Sequence, residues 1–300
     1  MQRRLMPWMP VYATAAATAQ GKAQRQRDGE HTGQEPLVLP AWNLADLYPA
    51  PDAPALTADL ESSERAAAAM QETYAGKLAA LAEGRDGGAA LSRAVREFEA
   101  LNDTLGRIVS YASLLYAADT SDPARQKFYG DIQEKITTIS SKLLFFPLEL
   151  NRLDDDVLEA VMANTELGHY RPWLEDLRKE KPHQLDDKLE QLFHEKAVTG
   201  RGAWNRLFNE TMTSLRFKVD GEELSLEPTL HRLLDQDEAK RRQAAEALGR
   251  VFKDNVRLFT LITNTLAKDK EISDRCAALP MSPIRGTSPT ASKKKWSMRW

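Results

Sequence analysis

The chain has 300 residues, 42% of them hydrophobic and 28% charged, with a formal net charge of −3. That length can bury a sizeable core as one large domain or two small ones, and the composition is that of a globular protein, not a membrane or wholly unstructured one. The charge balance leaves no electrostatic footprint for nucleic acid or an anionic membrane, and a lone cysteine, Cys276, excludes an internal disulfide and a CxxC metal knuckle, which suits a reducing cytoplasm.

Residues 1–38 are rich in Gln, Arg, Gly and Thr and lack a sustained hydrophobic period, so they read as a disordered extension or an over-long start. Pro7 and Pro10 interrupt the apolar stretch that an export signal would need. Nowhere does an apolar run reach the length of a membrane span. Structure is expected to begin near PAWNLADLYPAPDAP, where Trp42, Leu44, Leu47 and Tyr48 supply bulk between prolines.

Residues 55–81 are alanine-rich with few β-branched side chains and predict a helix. Gly84, Gly87 and Gly88 punctuate it. Leu91, Val95, Phe98, Leu101, Leu105, Ile108 and Ala112 then recur at steps of three or four, one face of a second helix. Asp122-Pro123 offers a cap followed by proline at the first helical position, and Phe128, Ile132, Ile136, Ile139 and Leu143 continue the spacing.

Asp154 is expected to cap a short helix carrying Val157, Leu158 and Val161. Another starts near Arg171-Pro172-Trp173, and a further one runs through Leu185, Leu189, Leu192 and Phe193. Gly200 and Gly202 break the pattern before Trp204, Leu207, Phe208 and Met212 resume it. LRFKV-DG-EELSL predicts a hairpin on a type I′ turn at Asp220-Gly221. Asp235 with Glu238 resembles a capping box, and Leu248, Phe252, Val256, Phe259, Ile262 and Leu266 mark a long last helix. The fold class is therefore all-α, a multi-helix antiparallel array with one small β-hairpin near residues 215–226.

The string with the most chemical content is His194-Glu195-Lys196-Ala197-Val198. An HExxH zinc site needs two imidazoles one helical turn apart, with the glutamate acting on metal-bound water. Val198 stands where the second imidazole must be, so the string reads as a polar run on a helix surface. His31, His169, His183 and His231 have no partner at ligand spacing and read as surface or helix-end residues. Asp154-Asp155-Asp156 complements a helix start without a cation. Cys276 has no neighbouring histidine to activate it. Phe98, Tyr111, Tyr116 and Phe128 are spaced as core side chains. Neither a catalytic residue nor a metal ligand nor a substrate-binding residue is assigned.

Three stretches, WNLADLYPAPDAP (42–54), YRPWLEDLRKEKPHQLDDKLEQLFHEKAVTGRGAWNRLFNETMTSLRF (170–217) and KDKEISDR (268–275), resemble the oligoendopeptidase F family. The resemblance runs from about Pro40 to Arg275 and covers the family's amino-terminal helical region, residues 39–275 here. It implies a parent that cuts oligopeptides with zinc held by an HExxH segment and a downstream glutamate, across a channel that excludes folded proteins. It places HEKAV outside that zinc motif. The chain as written is expected to hold no catalytic zinc and to be inactive.

After Arg275 the helical period stops in CAALPMSPIRGTSPTASKKKWSMRW. Restoring one lost base in the codon after Arg275 lets this tail be reread as WRGLADVADSRHLANRVQEEVVDAL, which regains apolar spacing and family likeness. Residues 276–300 thus read as a disordered, frameshift-derived tail, and Lys293-Lys294-Lys295 as a by-product of the shift. Helices that pack on the missing part should then expose apolar faces and favour self-association. The rival reading is a non-enzymatic helical module that binds a peptide or protein through those faces.

Overall fold

The computed structural model describes residues 42–279. Its first helix, α1 (Pro54–Tyr74), buries Leu56, Leu60, Ser63, Ala67 and Met70, steps of four and three that place one stripe against the core. The alanine-rich stretch is not continuous. The chain takes φ +75° at Gly76, where glycine alone turns without strain, before α2 (Leu78–Glu83). Glu149 secures the break by accepting from Gly76 N at 2.6 Å.

The long α3 (Gly87–Ala118) is the mast of the molecule, burying Leu91, Val95, Phe98, Leu101, Leu105, Ile108 and Ala112 as their spacing predicts. The preceding helix ends before Gly84, as expected of these glycines, and Gly87 and Gly88 are the first residues of α3. A Cβ on Gly87 would stand 2.0 Å from the Ala82 carbonyl oxygen, and one on Gly88 would stand 2.7 Å from Asn164 Cβ. Close approach, which local sequence does not reveal, is what requires glycine there.

Asp122 caps α4 (Pro123–Ser141) as expected, accepting from Ala124 N at 2.8 Å. Four short helices follow: α5 (Phe145–Arg152), α6 (Asp155–Met162), α7 (Thr165–Gly168) and α8 (Arg171–Arg178). They bring Phe146 to stack on Phe98 at 4.7 Å and Trp173 to within 6.1 Å of the same ring. One buried apolar cluster runs from Tyr48 to Leu177 through these elements, and we call it the bundle.

After a 3₁₀ turn (Lys181–His183), α9 (Asp187–Lys196) leads through a π turn (Val198–Gly202) into α10 (Ala203–Ser214). Strands β1 (Phe217–Val219) and β2 (Glu222–Leu224) pair antiparallel with Phe217 opposite Leu224. Positive φ at Asp220 and Gly221, 51° and 82°, gives the predicted type I′ turn. Beyond α11 (Leu226–Arg232), the cap of α12 (Glu238–Asp254) is Asp237, two residues past the position expected from the capping-box pattern. Asp237 accepts from Ala239 N, whereas Asp235 accepts from Asp237 N.

The predicted long last helix is two. It breaks at Asn255, whose side chain donates to Val251 O at 2.9 Å, and α13 (Val256–Cys276) follows. Apolar spacing continues across the break because both helices face the same second cluster. That cluster joins Leu215, Phe217, Val219, Leu224, Ala244, Ala247 and Leu248 and belongs to the arm, residues 203–276. Among the described residues the architecture is all-helical with one two-stranded hairpin, as the sequence predicts.

Candidate functional site

Asp186 starts α9 by accepting from Lys188 N at 3.0 Å, and the helix then carries His194 in its last turn. His194 is not the surface residue that the polar run suggests. It is half-buried against α4, with Nε2 2.8 Å from the hydroxyl of the buried Ser140. Burial lowers the imidazole pKa from its ordinary value, so the ring is held neutral. Glu195 instead faces solvent and accepts from Gln191 at 2.9 Å. Val198 opens the π turn and offers no ligand. The residues of this string do not fit a zinc ion, since His194 has a protein partner and the second ligand position is apolar.

The remaining candidates are dispersed. His183 Nδ1 donates to the Ala277 carbonyl at 3.1 Å, His169 lies edge-on to Tyr170, and His231 is exposed at the end of α11. His31 lies outside the described residues. Asp155 pairs with Arg178 and Lys181, and the Arg178 guanidinium holds its carboxyl below the usual range. Cys276 is exposed at the end of α13. Phe98, Tyr111 and Tyr116 are buried, and Phe128 packs against the cluster that holds Phe98 and Tyr111, so these rings are core. Among the described residues no group of three or more His, Cys, Asp or Glu side chains converges as a metal site.

A cavity of about 20 Å³ lies between Leu148, Asn151, Leu177 and Glu190. It has room for about one water and none for a peptide side chain.

One cluster has no signal in the sequence spacing. Tyr48 donates to Asp59 at 2.6 Å, and Arg107 donates to the Tyr48 hydroxyl at 3.1 Å and pairs with Asp59. Burial, then the Asp59 hydrogen bond, pushes the Tyr48 phenol up to about 12. The three residues are far apart in sequence, and together they dock the segment before α1 onto α3. Their role is anchoring.

What does stand out is surface. Leu189 and Leu192 on α9, Leu207 and Phe208 on α10, Leu230 and Leu234 around α11, and Val256, Leu261 and Ile272 on α13 are exposed large apolar residues. Leu192 and Leu261 are each 53% exposed and Val256 56%. On α13, Val256, Leu261 and Ile272 lie exposed, away from the buried Ile262. Among the described residues, Trp42 alone of the exposed large apolar side chains precedes residue 189. The described start of the tail is docked: Ala277 is 2% exposed, and α13 extends one residue past Arg275. Residues 280–300 lie outside the described residues.

A family model described as Oligopeptidase F matches residues 149–217. Oligopeptidase PepF of Bacillus subtilis (strain 168) is 26% identical over 159 residues, which are 51% of this chain and 22% of that protein. The crystal structure of oligoendopeptidase-F from Enterococcus faecium superposes with a TM-score of 0.63 at 19% identity, over 79% of this chain and 44% of that one. The chain thus spans less than half the length of these relatives.

Proposed function

We propose that this chain, which resembles the amino-terminal portion of the oligoendopeptidase F family, is the non-catalytic helical part of a zinc-dependent oligopeptide endopeptidase and cleaves no peptide alone. The observation that carries this reading is His194: the one HE pair in the sequence is used for packing against Ser140, with Val198 in the place of a second ligand. Oligopeptides are the proposed substrates of the parent, and zinc is its proposed metal. The cytoplasm is the proposed compartment, supported by the single cysteine. Among the described residues, no helix is long and apolar enough to cross a membrane.

The frameshift belongs to the same proposal. Its support is the loss of helical period after Arg275 and the return of that period in the reread tail. The continuation that the restored frame encodes is then the proposed seat of the zinc site. Exposed apolar side chains on α9, α10 and α13 fit a surface that this continuation covers. They also favour a second reading, a helical module that binds a peptide or protein without catalysis.

Resequencing across the codons for Arg275 and Cys276 tests the frame. One additional base and an open frame reaching HExxH supports the peptidase reading. DNA with no such frame in any register moves the binding module ahead. Zinc content and cleavage of a quenched peptide, measured on this chain and on the frame-restored gene, test the activity. Both should be absent from the first and present in the second, and a metal-loaded, cleaving short chain sinks the proposal.

A further inference from the structure

We propose that residues 197–202 form a hinge on which the arm turns against the bundle. The inference concerns the chain itself and does not depend on the peptidase reading.

The two buried apolar clusters share no residue: the bundle's ends at Leu177 and the arm's begins at Leu215. Across the intervening α9, π turn and α10, Glu190 is the one buried residue. Apolar burial is the main term holding packed elements in one arrangement. Where neighbouring modules share little of it, relative motion is the default.

The bundle keeps α9. Arg152 pairs with Asp187 at its start, and Ser140 holds His194 at its end. The chain then leaves helical geometry. Val198–Gly202 winds as a π turn in which Gly200 takes φ −93° and ψ −115°. Such turns locally interrupt the regular hydrogen-bond ladder.

The two glycines of the turn have different reasons to be there. A Cβ on Gly202 would stand 2.9 Å from the Ala197 carbonyl oxygen, so close approach demands glycine. A Cβ on Gly200 would meet Asp269 Oδ1 at an ordinary 3.9 Å, so space does not demand it. What glycine supplies at position 200 is conformational freedom, the property of a residue that absorbs a change in φ and ψ.

Beyond the turn, polar groups of the arm meet the bundle, and the buried Ile262 and Ala277 belong to neither apolar cluster. Arg206 on α10 lies beside Gly130 of α4, its Nη1 3.8 Å from where a Cβ would be. Glu210 on α10 acts on the buried Tyr116 phenol, which burial and then this carboxylate push up to about 12. At the far end of the arm, His183 Nδ1 donates to the Ala277 carbonyl at 3.1 Å. Turning the arm about Gly200 separates these contacts and leaves both apolar clusters whole.

Pulsed electron-spin distance measurements test the hinge in a Cys276→Ser background. Nitroxides on Lys135→Cys in α4 and Arg250→Cys in α12, both exposed positions, span the seam. Nitroxides on Glu61→Cys and Lys135→Cys report the bundle alone. The cross-seam distribution is expected to be broader than the bundle control. Gly200→Ala should narrow it and His183→Ala should widen it further, with the control unmoved in both. A cross-seam distribution as narrow as the control, and unmoved by either substitution, overturns the hinge. A broad distribution that Gly200→Ala leaves unchanged puts the motion elsewhere and overturns it equally.

Discussion

Two helices show how differently the halves of this molecule are built. In the bundle, α3 buries fifteen of its 32 residues, among them Leu91, Ile108 and Ala112 at 0% exposure. In the arm, α13 has 21 residues and buries Ile262 alone. Both carry apolar spacing of comparable quality, so the pattern is not what separates them. Neighbours separate them: α3 has α1, α2, α4, α6 and α7 packed round it, whereas α13 rests on α10, α12 and the π turn. A periodic apolar face says that a helix wants cover, and only the rest of the fold says whether it has any.

If the bundle is a finished core, truncating its centre should cost most. Phe146→Ala removes a fully buried ring stacked on Phe98 and is expected to destabilise the bundle by about 3–5 kcal/mol, read as a lower urea midpoint. A cost under about 1 kcal/mol would contradict the packing described for that site.

Phe217→Ala probes the arm in the same way, because Phe217 is fully buried against its own cluster. It is expected to unfold residues 203–276 at lower urea while the bundle's amides keep their hydrogen-exchange protection. Loss of protection in both halves together would make them one cooperative unit and dissolve the comparison.

Asp122→Ala removes a cap from α4 and should cost about 1 kcal/mol, confined to the bundle transition.

The pH dependence lies between the halves, at α9. His194 is depressed below its ordinary 6.5 by burial, so the unfolded chain takes up a proton first as pH falls. Its stabilising contribution is therefore complete above pH 6.5 and is lost as pH falls below that, toward the lowered folded value. The charged side chain bearing most on it is Glu195, on its own helix. Urea midpoints at pH 7.5 and 5.5 should differ less in His194→Gln than in the parent chain, and an unchanged difference would remove His194 as the cause.

The smallest stability effect is expected at the exposed apolar side chains of α9 and α13. Leu192→Glu with Leu261→Glu should move stability by no more than about 0.5 kcal/mol, yet lower the mass-average seen in sedimentation if the uncovered faces drive self-association. A double variant that unfolds would show that these side chains are packed after all.

Much of the fold was legible because helices and hairpins are local. The three-and-four spacing of Leu91 to Ala112, the Asp122-Pro123 cap and the Asp220-Gly221 turn each depend on residues within a few positions of one another, and each is where the spacing puts it. The family likeness was legible for a related reason, since a long specific string survives in the stretch from 170 to 217 and the family model matches 149–217.

What the sequence alone did not decide involves partners distant in the chain. Nothing in HEKAV says that His194 meets Ser140, because that contact depends on how α9 crosses α4. Nothing near Tyr48 announces Asp59 and Arg107. Nor do Gly87 and Gly88 reveal that Ala82 and Asn164 press against them, or the run from Leu248 to Leu266 that Asn255 divides it. Local propensity and period set which segments become helices and which face of each is apolar. Which of those faces is covered, and which titratable group is thereby taken out of water, is an energy between segments that exists only once they have met.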